Sequence, residues 1–265
     1  MPNNPAFSFS VEVARLGIML ICPDEQARSQ LKSRYRDFWG EKTPDWQIRI
    51  FYARDDPEAA RQTGIRFHQD RLLWSEADGR GWISASEKRG ELHLGSSATT
   101  ATVDYFLRVA FGLLAFEAGG FMLHAAGILM DNKAVVFFGR SGSGKTTVAR
   151  LSPAEGVLND DLLLILPQDQ EWIVYGTPFT NPSQVAPSNR SAALASLFLL
   201  IQDSSVYLKP LSYSQALAEL FACLPVISAD QTRSQALLSR LQDILAKYPV
   251  SGLHFRQDSS YWAIL

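Results

Sequence analysis

At 265 residues, 46% hydrophobic and 20% charged, with a formal net charge of −2, the chain has the composition of an ordinary soluble globular protein. That length suits one large domain, or a small one and a medium one. The near-neutral charge supplies no basic field for nucleic acid or an anionic membrane. The most apolar stretch, VAFGLLAFEAGGFMLHAAGILM, is broken by Glu117, Gly119, Gly120 and His124, so no membrane span is expected.

The opening MPNNPAFSFSVEV has no charged stretch leading into an apolar core, so it does not read as a signal peptide. Residues 7–21 begin in strict alternation and continue apolar, which predicts two strands in a hairpin. PDEQARSQLKSRYRDFW (residues 23–39) predicts a helix opened by Pro23 and Asp24 and closed near Gly40. Short strands follow around DWQIRIFYA, IRFHQD, RLLWS, GWISAS and ELHLG, with turn signals at ADGRG and KRGE. Trp46, Trp74 and Trp82 alternate with charged residues on these strands, a pattern that usually marks core. Residues 1–96 are therefore expected to form an antiparallel, β-rich α+β region, either recognising an acceptor or covering a sheet.

From residue 97 the texture is α/β. TVDYFLRVAFGLLAFEA (residues 102–118) predicts a helix ended by Gly119 and Gly120, followed by the apolar strands FMLHAAGILM and AVVFFG. A helix is expected at KTTVARL, one buried strand at GVLNDDLLLIL (residues 156–166), and strand with turn at EWIVYGTPF. Beyond residue 192 the apolar segment LASLFLLIQ precedes amphipathic helices at residues 212–224 and 232–248, and VSGLHFRQDSSYWAIL predicts a strand and a short terminal helix. The two cysteines, Cys22 and Cys223, have neither metal nor CxxC spacing and lie in apolar surroundings, so buried free thiols in a reducing cytoplasm are expected.

Residues 139–146, GRSGSGKT, match G-x-x-x-x-G-K-[ST], with an apolar strand entering and a helix leaving. Gly139, Gly142 and Gly144 let the loop turn its N–H groups toward phosphates, with Arg140, Ser141 and Ser143 between them; the emerging helix adds its unsatisfied amides. Lys145 is expected to bridge the terminal phosphates of ATP and the Thr146 hydroxyl to ligate Mg²⁺, with Thr147 completing the binding stretch. Asp160 and Asp161 come on the very next strand. Such a site needs a carboxylate for hydrated Mg²⁺, and a kinase needs one to accept a proton. Adjacent carboxylates on a strand point to opposite faces unless a bend or strand end brings both into one cleft.

The ordered pieces Leu123-His124, residues 139–146 and Asp160-Asp161 resemble HPr kinase/phosphorylase and its diverged kinase relatives, which share a phosphate-loop fold with phosphoenolpyruvate carboxykinase. The likeness covers roughly residues 100–265. It implies an α/β catalytic domain over residues 97–265. It also implies His124 near the γ-phosphate, Asp161 as the proton acceptor, and Asp160 at the metal. This chain carries Thr146-Thr147 where the HPr enzymes have Ser-Glu after the loop Lys. In place of their Gly-rich second signature it offers Asn181 and Arg190 but no Glu. HPr itself is thus not implied as the acceptor.

The leading expectation is an ATP-dependent kinase acting on a hydroxyl, of a peptide or protein Ser/Thr or of a small alcohol, with Arg190 assisting. The alternative is a non-catalytic nucleotide-binding accessory of a biosynthetic complex. Arg256 reads as a surface charge, and self-association into a homo-oligomer is left open.

Overall fold

The computed structural model describes residues 7–53, 63–180 and 185–265; the first six residues of the opening stretch, and Asn181, lie outside the described residues. The chain divides into two compact units, Met1–Leu114 and Ala115–Leu265, each a mixed α/β arrangement around its own sheet. Among the described residues no helix is long and apolar enough to cross a membrane.

In the first unit the expected hairpin forms from β1 (Ser8–Val13) and β2 (Leu16–Ile21). Asp24 then caps helix α1 (Glu25–Arg34) by accepting the Ala27 N–H at 2.8 Å. The helix returns the chain, so β3 (Trp46–Tyr52) lies parallel to β2. Next comes an antiparallel meander of β4 (Gly64–His68), β5 (Arg71–Glu76), β6 (Gly79–Ser84) and β7 (Arg89–Leu94). It delivers β7 beside β3, again in parallel. The sheet order is β1-β2-β3-β7-β6-β5-β4. The sheet is therefore mixed rather than antiparallel throughout, because the α1 crossover and the meander each re-enter it in the original direction.

Period-2 patterning places Trp46, Ile48, Ile50, Leu72, Trp74 and Leu92 inside. Trp82 is an exception among the tryptophans: it is half-buried, with the Arg71 guanidinium 4.1 Å from its ring. Helix α2 (Thr100–Glu117) packs on this core, its Phe106 meeting Trp74 edge-on with centroids 5.5 Å apart. Nearly buried Asp104 anchors the helix by accepting from the Tyr35 hydroxyl and from Arg34 Nη2 (2.7 Å). The break between the two compact units falls inside α2, between Leu114 and Ala115.

The second unit starts with β8 (Phe121–Met130) and β9 (Lys133–Phe138), joined by the two-residue turn Asp131-Asn132 with both residues left-handed (φ 48° and 62°). After the loop over residues 139–144 come α3 (Lys145–Arg150), β10 (Val157–Asn159), β11 (Leu162–Gln168), β12 (Glu171–Gly176) and β13 (Ser191–Gln202). The unit ends with β14 (Tyr207–Pro210), α4 (Tyr213–Ala222), α5 (Gln231–Lys247), β15 (Val250–Phe255) and a 3-10 turn, Ser259–Ile264. The short exposed β14 was not legible in the sequence. Following hydrogen-bonded neighbours, β8, β9, β13, β12 and β11 lead back to β8, so the pairing closes on itself and leaves those strands no open edge. β13 runs parallel to β9 on one flank and to β15 on the other. Ala126, Phe137, Val148, Leu253, Phe255 and Tyr261 form the core beneath the loop that follows β9.

Candidate active site

That loop leaves the carboxyl end of β9 with Gly139, Gly142 and Gly144 all left-handed (φ 151°, 79° and 112°). At Gly144 a side chain would also strike the Phe255 ring, 2.5 Å from the position of its Cβ. Glycine is therefore required where the loop enters α3. Lys145 is buried and folds its Nζ back onto the carbonyls of Gly139 (2.8 Å) and Arg140 (3.1 Å). Burial lowers its pKa, opposed by Cys223, Asp161 and Asp160 nearby.

The acids do not lie on one continuous strand. The expected single strand over residues 156–166 is interrupted, with β10 ending at Asn159 and β11 starting at Leu162, so Asp160 and Asp161 occupy the break. Both are buried, and both face the same cleft. The break resolves the geometric difficulty of two neighbouring carboxylates on a strand.

His124, on β8 opposite Leu162, reaches the same place: its Nδ1 lies 3.0 Å from Asp161 Oδ1. Cys223 comes to the back of the loop, where its carbonyl accepts the His124 N–H at 2.9 Å. Burial pushes its thiol pKa up, while the Gly139 N–H and the Lys145 charge pull it down. Cys22 and Cys223 are both buried free thiols, as expected.

These groups line a polar cleft of about 310 Å³. Its walls are Ser141, Gly142, Gly144, Lys145, Thr146 and Thr147 from the loop and α3, Asp160 and Asp161 from the break, and His124 from β8. Gly139 and Arg140 take part through the carbonyls that hold Lys145, while the Ser143 Oγ is buried without a hydrogen-bond partner.

Two further residues line the cleft that the sequence did not single out, Gln202 and Gln257. Gln202 ends β13 and donates from Nε2 to the Gly142 carbonyl at 2.8 Å. Its signal was positional: it stands at the carboxyl end of the strand beside β9, where α/β sheets place their ligands. Arg190 is not brought into this lining. It precedes β13, exposed, with its carbonyl accepting the Gly176 N–H at 3.0 Å. Arg256 is exposed and 3.2 Å from Asp258, consistent with a surface charge.

Asp160 bears most directly on a metal. Neither of its buried carboxylate oxygens is in a well-formed hydrogen bond, although the Thr146 hydroxyl stands close enough to act on it as a donor. Burial raises its pKa, the neighbouring Thr146 hydroxyl acts the other way, and Asp161 raises it further. A buried carboxylate with no well-formed hydrogen bond, beside a hydroxyl, offers hard oxygen donors that suit Mg²⁺. Among the described residues, no group of three or more His, Cys, Asp or Glu side chains is placed to hold a metal ion. Mg²⁺ needs just one or two protein oxygens when phosphates and water supply the rest.

No protein-family model matches the chain, and no curated protein matches it.

Proposed function

We propose that the second unit is a kinase of the HPr kinase-like type, transferring the γ-phosphate of ATP to a hydroxyl group. Ser or Thr of a peptide or protein is the favoured acceptor. The observation that supports this reading is the convergence of a glycine-rich loop of phosphate-binding pattern, a His–carboxylate pair and a second buried carboxylate with no well-formed hydrogen bond in one cleft. An imidazole 3.0 Å from a buried carboxylate, in the same cleft as the loop, supports proton transfer over simple nucleotide binding.

In this reading Lys145 leaves its own loop carbonyls and meets the terminal phosphates, joined by the loop amides. Asp160 and Thr146 would hold Mg²⁺, which when bound neutralises charge on the phosphates. Asp161 is the base. The acceptor oxygen attacks the γ-phosphorus and its proton passes to Asp161. The bond from phosphorus to the β,γ-bridging oxygen breaks, leaving ADP and a phosphomonoester. His124 orients the Asp161 carboxylate through Nδ1 and keeps Nε2 for the transferring group.

The test supplies the full chain with Mg²⁺ and γ-labelled ATP, together with Ser- and Thr-containing peptides and, separately, small alcohols. The expected product is an acid-stable phosphomonoester. Tight ATP binding with no labelled acceptor in either arm would instead favour an accessory role.

A further inference from the structure

The break that carries Asp160 and Asp161 is fastened by a side chain outside the acidic pair. Asn159 is fully buried. Its Oδ1 accepts the backbone N–H of Asp161 (2.7 Å) and of Leu162 (3.0 Å). Its Nδ2 donates to the carbonyls of Thr177 (2.8 Å) and Phe179 (3.2 Å). Two donors at one end and two acceptors at the other fix the orientation of the amide. Thr177, also buried, completes the link by donating from Oγ1 to the Leu162 carbonyl at 2.7 Å.

This network does something that strand formation alone would not. An uninterrupted strand through this stretch would send neighbouring carboxylates to opposite faces. By taking the N–H groups of Asp161 and Leu162 onto a side chain, Asn159 holds the chain in the turn that turns both acids to the cleft. By donating to residues 177 and 179, it ties that turn to the segment following β12. A fully satisfied buried amide is a rigid anchor, and losing half of it leaves backbone groups without partners.

We propose that Asn159 is the positioning residue of this site, setting Asp160 for the metal and Asp161 for the acceptor by locking their turn to residues 177 and 179. The kinetic half of this proposal rests on the kinase reading above, whereas the metal half does not.

The experiment measures ATP affinity without divalent cation, the gain in that affinity when Mg²⁺ is added, and kcat and KM for transfer. It compares the wild type with Asn159→Asp, which keeps an oxygen for the two N–H groups and loses both donations. The expected result is metal-free ATP affinity within about twofold of wild type, a Mg²⁺-dependent gain reduced about tenfold or more, and kcat lowered about 10- to 100-fold with KM for ATP little changed. Thr177→Val should reduce the same two quantities more mildly and Thr177→Ser restore them, and this pair decides the matter if Asn159→Asp fails to fold. A folded Asn159→Asp with the Mg²⁺ gain and kcat intact would overturn the proposal. So would loss of metal-free affinity in equal proportion, which marks a merely structural role. If the wild type transfers no phosphate, the kinase reading fails, and the Mg²⁺ gain alone still decides the role of Asn159.

Discussion

His124 Nδ1 lies 3.0 Å from Asp161 Oδ1, with the imidazole partly open to the cleft and the carboxylate nearly closed off from solvent. The pair joins residues from β8 and from the break before β11, strands held together at Leu162 and His124. If the two act as one unit, their substitutions should not add. Asp161→Asn is expected to lower kcat by about 10²–10⁴-fold, and His124→Ala by less. The double variant should be no slower than Asp161→Asn alone, as steady-state kinetics on all three will show.

Asp160 predicts opposite effects on folding and on metal binding. Burial of the Asp160 carboxylate, with no well-formed hydrogen bond to offset it, opposes folding, so Asp160→Asn should raise the thermal midpoint of the ligand-free protein, by about 2–4 °C for each kcal/mol relieved. The same variant should lose most of the Mg²⁺-dependent gain in ATP affinity. Calorimetry in parallel with ATP titration tests both halves, and a lowered midpoint would contradict the first.

Gly144→Ala combines a left-handed backbone with a methyl group directed at the Phe255 ring. The strain is expected to cost about 1–3 kcal/mol. It falls where the loop enters α3, so ATP affinity should drop more steeply than the midpoint of unfolding. Comparing the two measurements separates local from global damage.

Near the cleft, Asp203 shares a 2.9 Å hydrogen bond with His254 Nδ1, and the Tyr207 ring stacks on that imidazole at 4.1 Å. The His254 bond and the Ser205 N–H hold the Asp203 pKa below its ordinary 3.8, at about 2. A depressed carboxylate contributes stability that is complete above 3.8 and lost as pH falls toward about 2. The stability difference between wild type and Asp203→Asn should therefore be constant above about pH 4 and shrink from there to about pH 2. Chemical denaturation across that range will show it.

The residues that line the cleft were legible where a local pattern carried them. The 139–146 loop, between a strand and a helix, was legible from its glycine spacing. Asp160 and Asp161 were legible as a pair, but not the break that presents them. An apolar run on both sides reads as one strand, and the cause of the interruption is a side-chain amide bonded to residues far along the chain. The parallel pairing of β3 with β7 was hidden for a similar reason: each strand looks like a member of a meander, and the partner is chosen by tertiary packing. Gln202 and Cys223 gave no motif at all, since their places beside the loop follow from where β13 and α4 end.

The most direct test compares wild type and Asp161→Asn for the rate at which labelled γ-phosphate appears on a hydroxyl acceptor, with ATP affinity measured on the same preparations. A kinase of this design predicts transfer by the wild type, a fall of at least about 100-fold in Asp161→Asn, and ATP affinity within about twofold between them. Transfer at the wild-type rate by Asp161→Asn, or ATP binding by the wild type with no transfer to any acceptor, would contradict it.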